Sequence, residues 1–153
     1  MNAKKYAFTM IELILVIVIL GILAAVALPR LSATRDDAIV SRLANNIMSG
    51  VSEIAAYAMS NSVVDNNLTV MSKAIKSMEN TGDAIVSDNK AEIKAGSISD
   101  CVIISVDSND TTGIDTLNIG FSSADSDGIC LSLQSSIDAS EYPMKLRGNS
   151  VVY

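Results

Sequence analysis

The chain has 153 residues, is 49% hydrophobic and 4% aromatic, and carries a formal net charge of −6. That length suits one domain with a modest core of small aliphatic side chains. The acidic balance excludes a general nucleic-acid binder, which needs a cationic surface to displace counterions. The absence of histidine and the presence of only two cysteines exclude most zinc sites and His-dependent nucleophilic triads and dyads.

Met1 to Ala7 is short and contains Lys4 and Lys5, and from Phe8 to Leu28 only Thr9 and Glu12 are distinctly polar. Those 21 residues make about 30 Å of helix at about 1.5 Å per residue, the thickness of a bilayer core. A soluble domain of this size does not readily bury a helix that is hydrophobic all round, so the segment is expected to enter a membrane. A cleaved secretory signal is one reading, with Ala25-Val26-Ala27 as its small-residue site. A plain membrane anchor is another. Neither explains the lone carboxylate of Glu12, since a charge in a membrane helix costs about 3 kcal/mol, less near its end.

A third reading accounts for it. Ala7-Phe8-Thr9-Met10-Ile11-Glu12-Leu13-Ile14 resembles the type III signal of type IV prepilins and pseudopilins, which has a short basic leader, cleavage before Phe or Met, and Glu at the fifth mature position. The resemblance continues through Gly21 and Ala24-Ala25-Val26-Ala27-Leu28-Pro29 and the helix beyond. One residue departs from the pattern. Ala7 stands where the family usually has Gly, and its small size is expected to permit cleavage at a reduced rate. The resemblance implies cleavage between Ala7 and Phe8, N-methylation of the new amine of Phe8, and pairing of that amine with Glu12 of a neighbouring subunit, with the two groups at helical spacing within one chain. It also implies a prepilin peptidase, an assembly platform, a cytoplasmic ATPase and copies of the chain itself as partners. The protein would be a single-pass inner-membrane precursor with a cytoplasmic N-terminus, and afterwards a periplasmic or extracellular filament.

Gly21 and Pro29 are expected to interrupt the helix mildly, as a curve or as a hinge. Beyond them Val40, Leu43, Ile47, Val51, Ile54 and Ala58 recur every three or four residues, which predicts an amphipathic helix with Arg35, Asp36, Arg42, Asn45, Asn46 and Glu53 on its other face. A break follows over 61–67. Leu68, Met71, Ile75 and Met78 then predict a short helix capped by Asn66 or Asn67 and ended by Asn80-Thr81-Gly82, with Lys73 and Lys76 solvated. Residues 83–97 are ambiguous, with an extra helical turn possible over Asp88 to Lys94. Alternation marks strands at Val102-Ile104-Val106, Leu117-Ile119-Phe121 and Ile129-Leu131-Leu133, and a further strand is expected near Ser150 to Tyr153. The resulting organisation is a leader at 1–7, a transmembrane or filament-core helix at 8–29, a stem at 30–60 and a globular head at 61–153. The fold class is α+β: a long N-terminal helix packed on a small antiparallel sheet, resembling a pilin.

Cys101 and Cys130, an even pair behind an export-type N-terminus, are expected to form a disulfide. In the simplest three-stranded meander their positions lie about 9–10 Å apart, too far for a bond. Either the strand order differs or one cysteine lies on a segment that folds over. Asp125-Ser126-Asp127-Gly128 resembles half of a calcium loop but lacks a third side-chain oxygen in sequence and a closing Glu, and Asp-Gly is also a common turn. Asn109 to Gly113 reads as a turn. Asp36-Asp37 are helix neighbours that face different ways, so no acid/base dyad, and no enzyme, is expected. Three functions are carried forward: a pilus-like filament subunit, a pseudopilin of a type II secretion system, and a membrane-anchored binding module.

Overall fold

The computed structural model describes residues 9–109 and 114–147. The chain divides into two compact units, Met1–Asp37 and Ala38–Tyr153. Helix α1, Met10–Asn61, spans the division as 52 residues of continuous helix, so neither Gly21 nor position 29 ends it. In the first unit the side chains from Met10 to Leu28 are exposed.

In the second unit α1 buries Leu43, Ile47, Val51, Ile54 and Ala58 in the core, the stripe expected from the spacing of its apolar residues. Two polar side chains of this stretch do more than face solvent. Arg42 makes a fork onto Asp83, with Nη1–Oδ2 at 2.6 Å and Nη2–Oδ1 at 3.2 Å. Glu53 Oε2 accepts from Ser72 Oγ at 2.7 Å and from the Ala74 amide at 3.0 Å, so α1 caps the start of another helix. Between these anchors Gly50 lies against Ile75, where an added Cβ would meet Ile75 Cγ1 at 3.0 Å.

The helix expected over 68–78 is two helices, α2 (Leu68–Met71) and α3 (Lys73–Thr81). Asn67 caps the first through Thr69 N. Ser72 separates them in extended conformation, buried, with its hydroxyl accepting from Ile75 N at 3.1 Å. Gly82 ends α3 at φ 78, with bonds from the Gly82 and Asp83 amides back to Glu79 and Met78.

Five antiparallel strands follow in sheet order β1-β2-β3-β4-β5: β1 Ala84–Ser87, β2 Lys90–Ala95, β3 Ile98–Asn109, β4 Ile114–Phe121 and β5 Met144–Arg147. The segment suspected of an extra helical turn, Asp88 to Lys94, is a hairpin turn and β2. Asp88 takes φ 46, and Ala91, Ile93 and Ala95 alternate inward. Two of those three inward residues are alanines, which give only a weak apolar alternation. Val102, Ile104, Val106 and Leu117 face the core as expected, while Phe121 at the end of β4 is 41% exposed.

The expected third strand, at Ile129-Leu131-Leu133, is instead helix α4, Gly128–Ser135. Asp127 caps it, and Cys130 and Leu133 are its buried residues at helical spacing, with Ile137 buried just beyond its end, while Leu131 is 51% exposed. The final strand, β5, pairs with β4 at 144–147. The expected strand over 150–153 and most of the turn at 109–113 lie outside the described residues.

The fold is thus α+β: a long N-terminal helix whose stretch from Ala38 onward packs against a small five-stranded antiparallel sheet.

Candidate functional site

α1 begins with a capping box. The Thr9 backbone N–H and hydroxyl donate to Glu12 Oε2 at 2.8 and 2.7 Å, and the Glu12 N–H donates to Thr9 Oγ1 at 3.3 Å. Helix starts leave amide donors unsatisfied, so a carboxylate at the third position is held where the end of the dipole favours negative charge. Glu12 is therefore a fixed group, aimed back toward the N-terminal end of the helix. It is the only charged residue between Phe8 and Leu28. Ala7 and Phe8, the expected cleavage and methylation positions, lie outside the described residues. The sequence pattern singles out Glu12 and names Thr9 only as polar, although Thr-x-x-Glu ahead of an apolar run is a readable capping signal.

The segment behind the box satisfies the length and composition of a membrane span, and its side chains from Met10 to Leu28 are exposed. The second half of α1 behaves differently, because from Leu43 onward its apolar stripe is used up by the core.

Cys101 and Cys130 are bonded, with Cα atoms 5.8 Å apart and both residues fully buried. The expected conflict with the strand order disappears because Cys130 is on α4 and not on a strand.

Asp127 and Asp125, the calcium candidates, have other engagements. Asp127 Oδ1 accepts from the amides of Ile129 and Cys130, and Oδ2 accepts from Ser97 N and Oγ. The Ser97 amide first, then that of Cys130, lower the Asp127 carboxyl to about 2. Asp125 Oδ1 accepts from Ser123 Oγ at 2.7 Å. Among the described residues no group of three or more Asp, Glu, His or Cys is placed to hold a metal ion.

Residues 2–28 match the family model described as the prokaryotic N-terminal methylation motif. This is the signal of type IV pilins and pseudopilins, and it spans most of the expected leader, Glu12 and the apolar segment described above. No curated protein and no solved structure matches the chain.

Proposed function

We propose that this chain is the precursor of a structural subunit of a type IV pilus-like filament. A prepilin peptidase cleaves it between Ala7 and Phe8 and methylates the Phe8 amine. The N-terminus faces the cytoplasm until a platform protein and an ATPase drive the subunit from the inner membrane into a filament outside the cytoplasm. The head is structural and not enzymatic.

The observation that carries this reading is a fixed carboxylate inside an otherwise apolar, methylation-type helix. Moving Leu, Ile and Val side chains from lipid into a bundle of like helices brings little hydrophobic gain, because lipid tails are as apolar as the helices. Polar pairing then decides the register. An ammonium and a carboxylate about 4 Å apart attract by about 4 kcal/mol at an effective dielectric near 20. Glu12 of one subunit and the Phe8 amine of the next form such a pair, and tight packing of the apolar faces supplies the rest. Once the filament stands in water, burial of those same side chains contributes roughly 1.5–3 kcal/mol each and holds the subunit in place.

The test is assembly of Glu12→Ala and Glu12→Asp in the native host. Both variants are expected in the membrane and cleaved. Glu12→Ala is expected to be missing from sheared filaments, with partial recovery in Glu12→Asp. Normal incorporation of Glu12→Ala would refute the pairing.

A further inference from the structure

The Cys101–Cys130 bond is flanked on both sides by polar bridges between the same two segments. On one side, Ser97 lies four residues before Cys101 and Asp127 three residues before Cys130. The Asp127 carboxylate joins them: Oδ2 accepts from Ser97 N and Oγ at 2.9 and 2.8 Å, while Oδ1 accepts from the Ile129 and Cys130 amides at 3.0 Å each. On the other side, Gln134 lies four residues after Cys130. Its Nε2 donates to Cys101 O at 2.9 Å and to Ser122 O at 3.0 Å. The turn itself is shaped for this contact. Gly96 sits at φ 59, and a Cβ there would collide with the Asp127 carboxylate. Leu133 on the same helix and Ile137 just beyond its end are buried in the core.

We infer that Asp127 is the positioning residue for the disulfide: its two oxygens tie the β2–β3 turn to the first turn of α4 and so hold Cys130 over Cys101. The bond does not have to drag α4 to the sheet; the clasp does that. Coupling of this kind is reciprocal, so whatever the clasp adds to the bond, the bond adds to the clasp. The chemistry is ordinary thiol–disulfide exchange. One cysteine thiolate attacks a low-molecular-weight disulfide, expelling one thiol. The other thiolate then attacks the protein sulfur of the mixed disulfide, expelling the second. Two electrons pass to the oxidant, which leaves as two thiols carrying the two protons.

The experiment is an equilibrium redox titration of the full chain in detergent micelles with reduced and oxidised glutathione, quenched by alkylation. Asp127→Ala is expected to lower the equilibrium constant for the intramolecular bond about tenfold, the scale of lost hydrogen bonds to a charged group. Ser97→Ala, which keeps the amide donor, is expected to lower it about threefold. In concentrated urea all variants should coincide with wild type. Asp127→Asn tests whether both oxygens of the clasp are needed. Its single carbonyl oxygen can cap α4 but cannot also hold Ser97 as the carboxylate does, so it should behave like Asp127→Ala. An Asp127→Asn constant at the wild-type level would show that the hold of the second oxygen on Ser97 is not needed, which would overturn the proposal. Arg42→Ala, which removes the ion pair to Asp83 and touches neither Ser97 nor Asp127, controls for general destabilisation and should leave the constant unchanged. An equal fall in Arg42→Ala, with circular dichroism showing both variants folded, would also overturn it. So would Asp127→Ala with a wild-type constant.

Discussion

Thr9 and Glu12 close a reciprocal pair at the start of α1, with both Thr9 donors on Glu12 Oε2 at 2.8 and 2.7 Å. Thr9 lies on the mature side of the proposed cut, so the pair belongs to precursor and product alike. Replacing a threonine cap costs about 1 kcal/mol of helix stability. Thr9→Val, which keeps the shape and loses the hydroxyl, is expected to fray the first turn. Hydrogen exchange at Met10 to Leu13 in micelles should rise roughly fivefold, while Thr9→Ser stays near wild type.

The two polar anchors between α1 and the head should differ in strength. The Arg42–Asp83 pair is short, but its side chains are 47% and 23% exposed, and ion pairs near solvent contribute about 0–1 kcal/mol. Glu53 instead caps α3 and accepts from the buried Ser72 hydroxyl. Its removal leaves a buried donor unmatched, at about 1–3 kcal/mol. Denaturant unfolding of the head within the full chain is expected to shift more for Glu53→Ala than for Arg42→Ala. The reverse order would contradict the burial argument.

Gly96→Ala should destabilise the head beyond the ordinary glycine-to-alanine effect. The left-handed φ and the Asp127 carboxylate both oppose a Cβ. A cost of about 1–3 kcal/mol is expected, read as a lower thermal midpoint, and a wild-type midpoint would show that the turn relaxes freely.

Acid should loosen α4 in a defined window. The folded Asp127 carboxyl, at about 2, lies below its ordinary value of 3.8, so its contribution is present above that ordinary value and is lost as the pH falls toward 2. Glu53 and Asp83 are depressed too, chiefly by the Ala74 amide and the Arg42 guanidinium respectively, and add to the same acid limb. Thermal midpoints measured from neutral pH to about pH 2 should fall most steeply below 3.8, and Asp127→Asn should flatten part of that limb.

What could be read from the sequence follows the strength of local periodicity. The Leu43-Ile47-Val51-Ile54-Ala58 stripe is long enough to specify its helix and its buried face. Ile129-Leu131-Leu133 looks like a strand because three apolar residues alternate, yet Asp127 as a cap and Cys130 and Leu133 as the buried face make it a helix. The competing period was present and shorter. That one misreading also produced the apparent obstacle to the disulfide. Ser72 illustrates another limit: its break between α2 and α3 is stabilised by Glu53, 19 residues earlier in the chain, a long-range partner that no local window contains. Around the N-terminus the signal was dense, since leader, Phe8, Glu12 and apolar run coincide. The capping role of Thr9 is harder to read, because Thr-x-x-Glu sits inside a segment dominated by its apolar run and single charge.

The proposed mature chain begins at Phe8. Intact-mass and N-terminal fragment analysis of the protein recovered from its native membrane tests this most directly. A chain starting at N-methylated Phe8, with Met1 to Ala7 removed, is the expected result. A chain starting at Leu28, after Ala25-Val26-Ala27, or one still carrying Met1 to Ala7 in the assembled material, would contradict it.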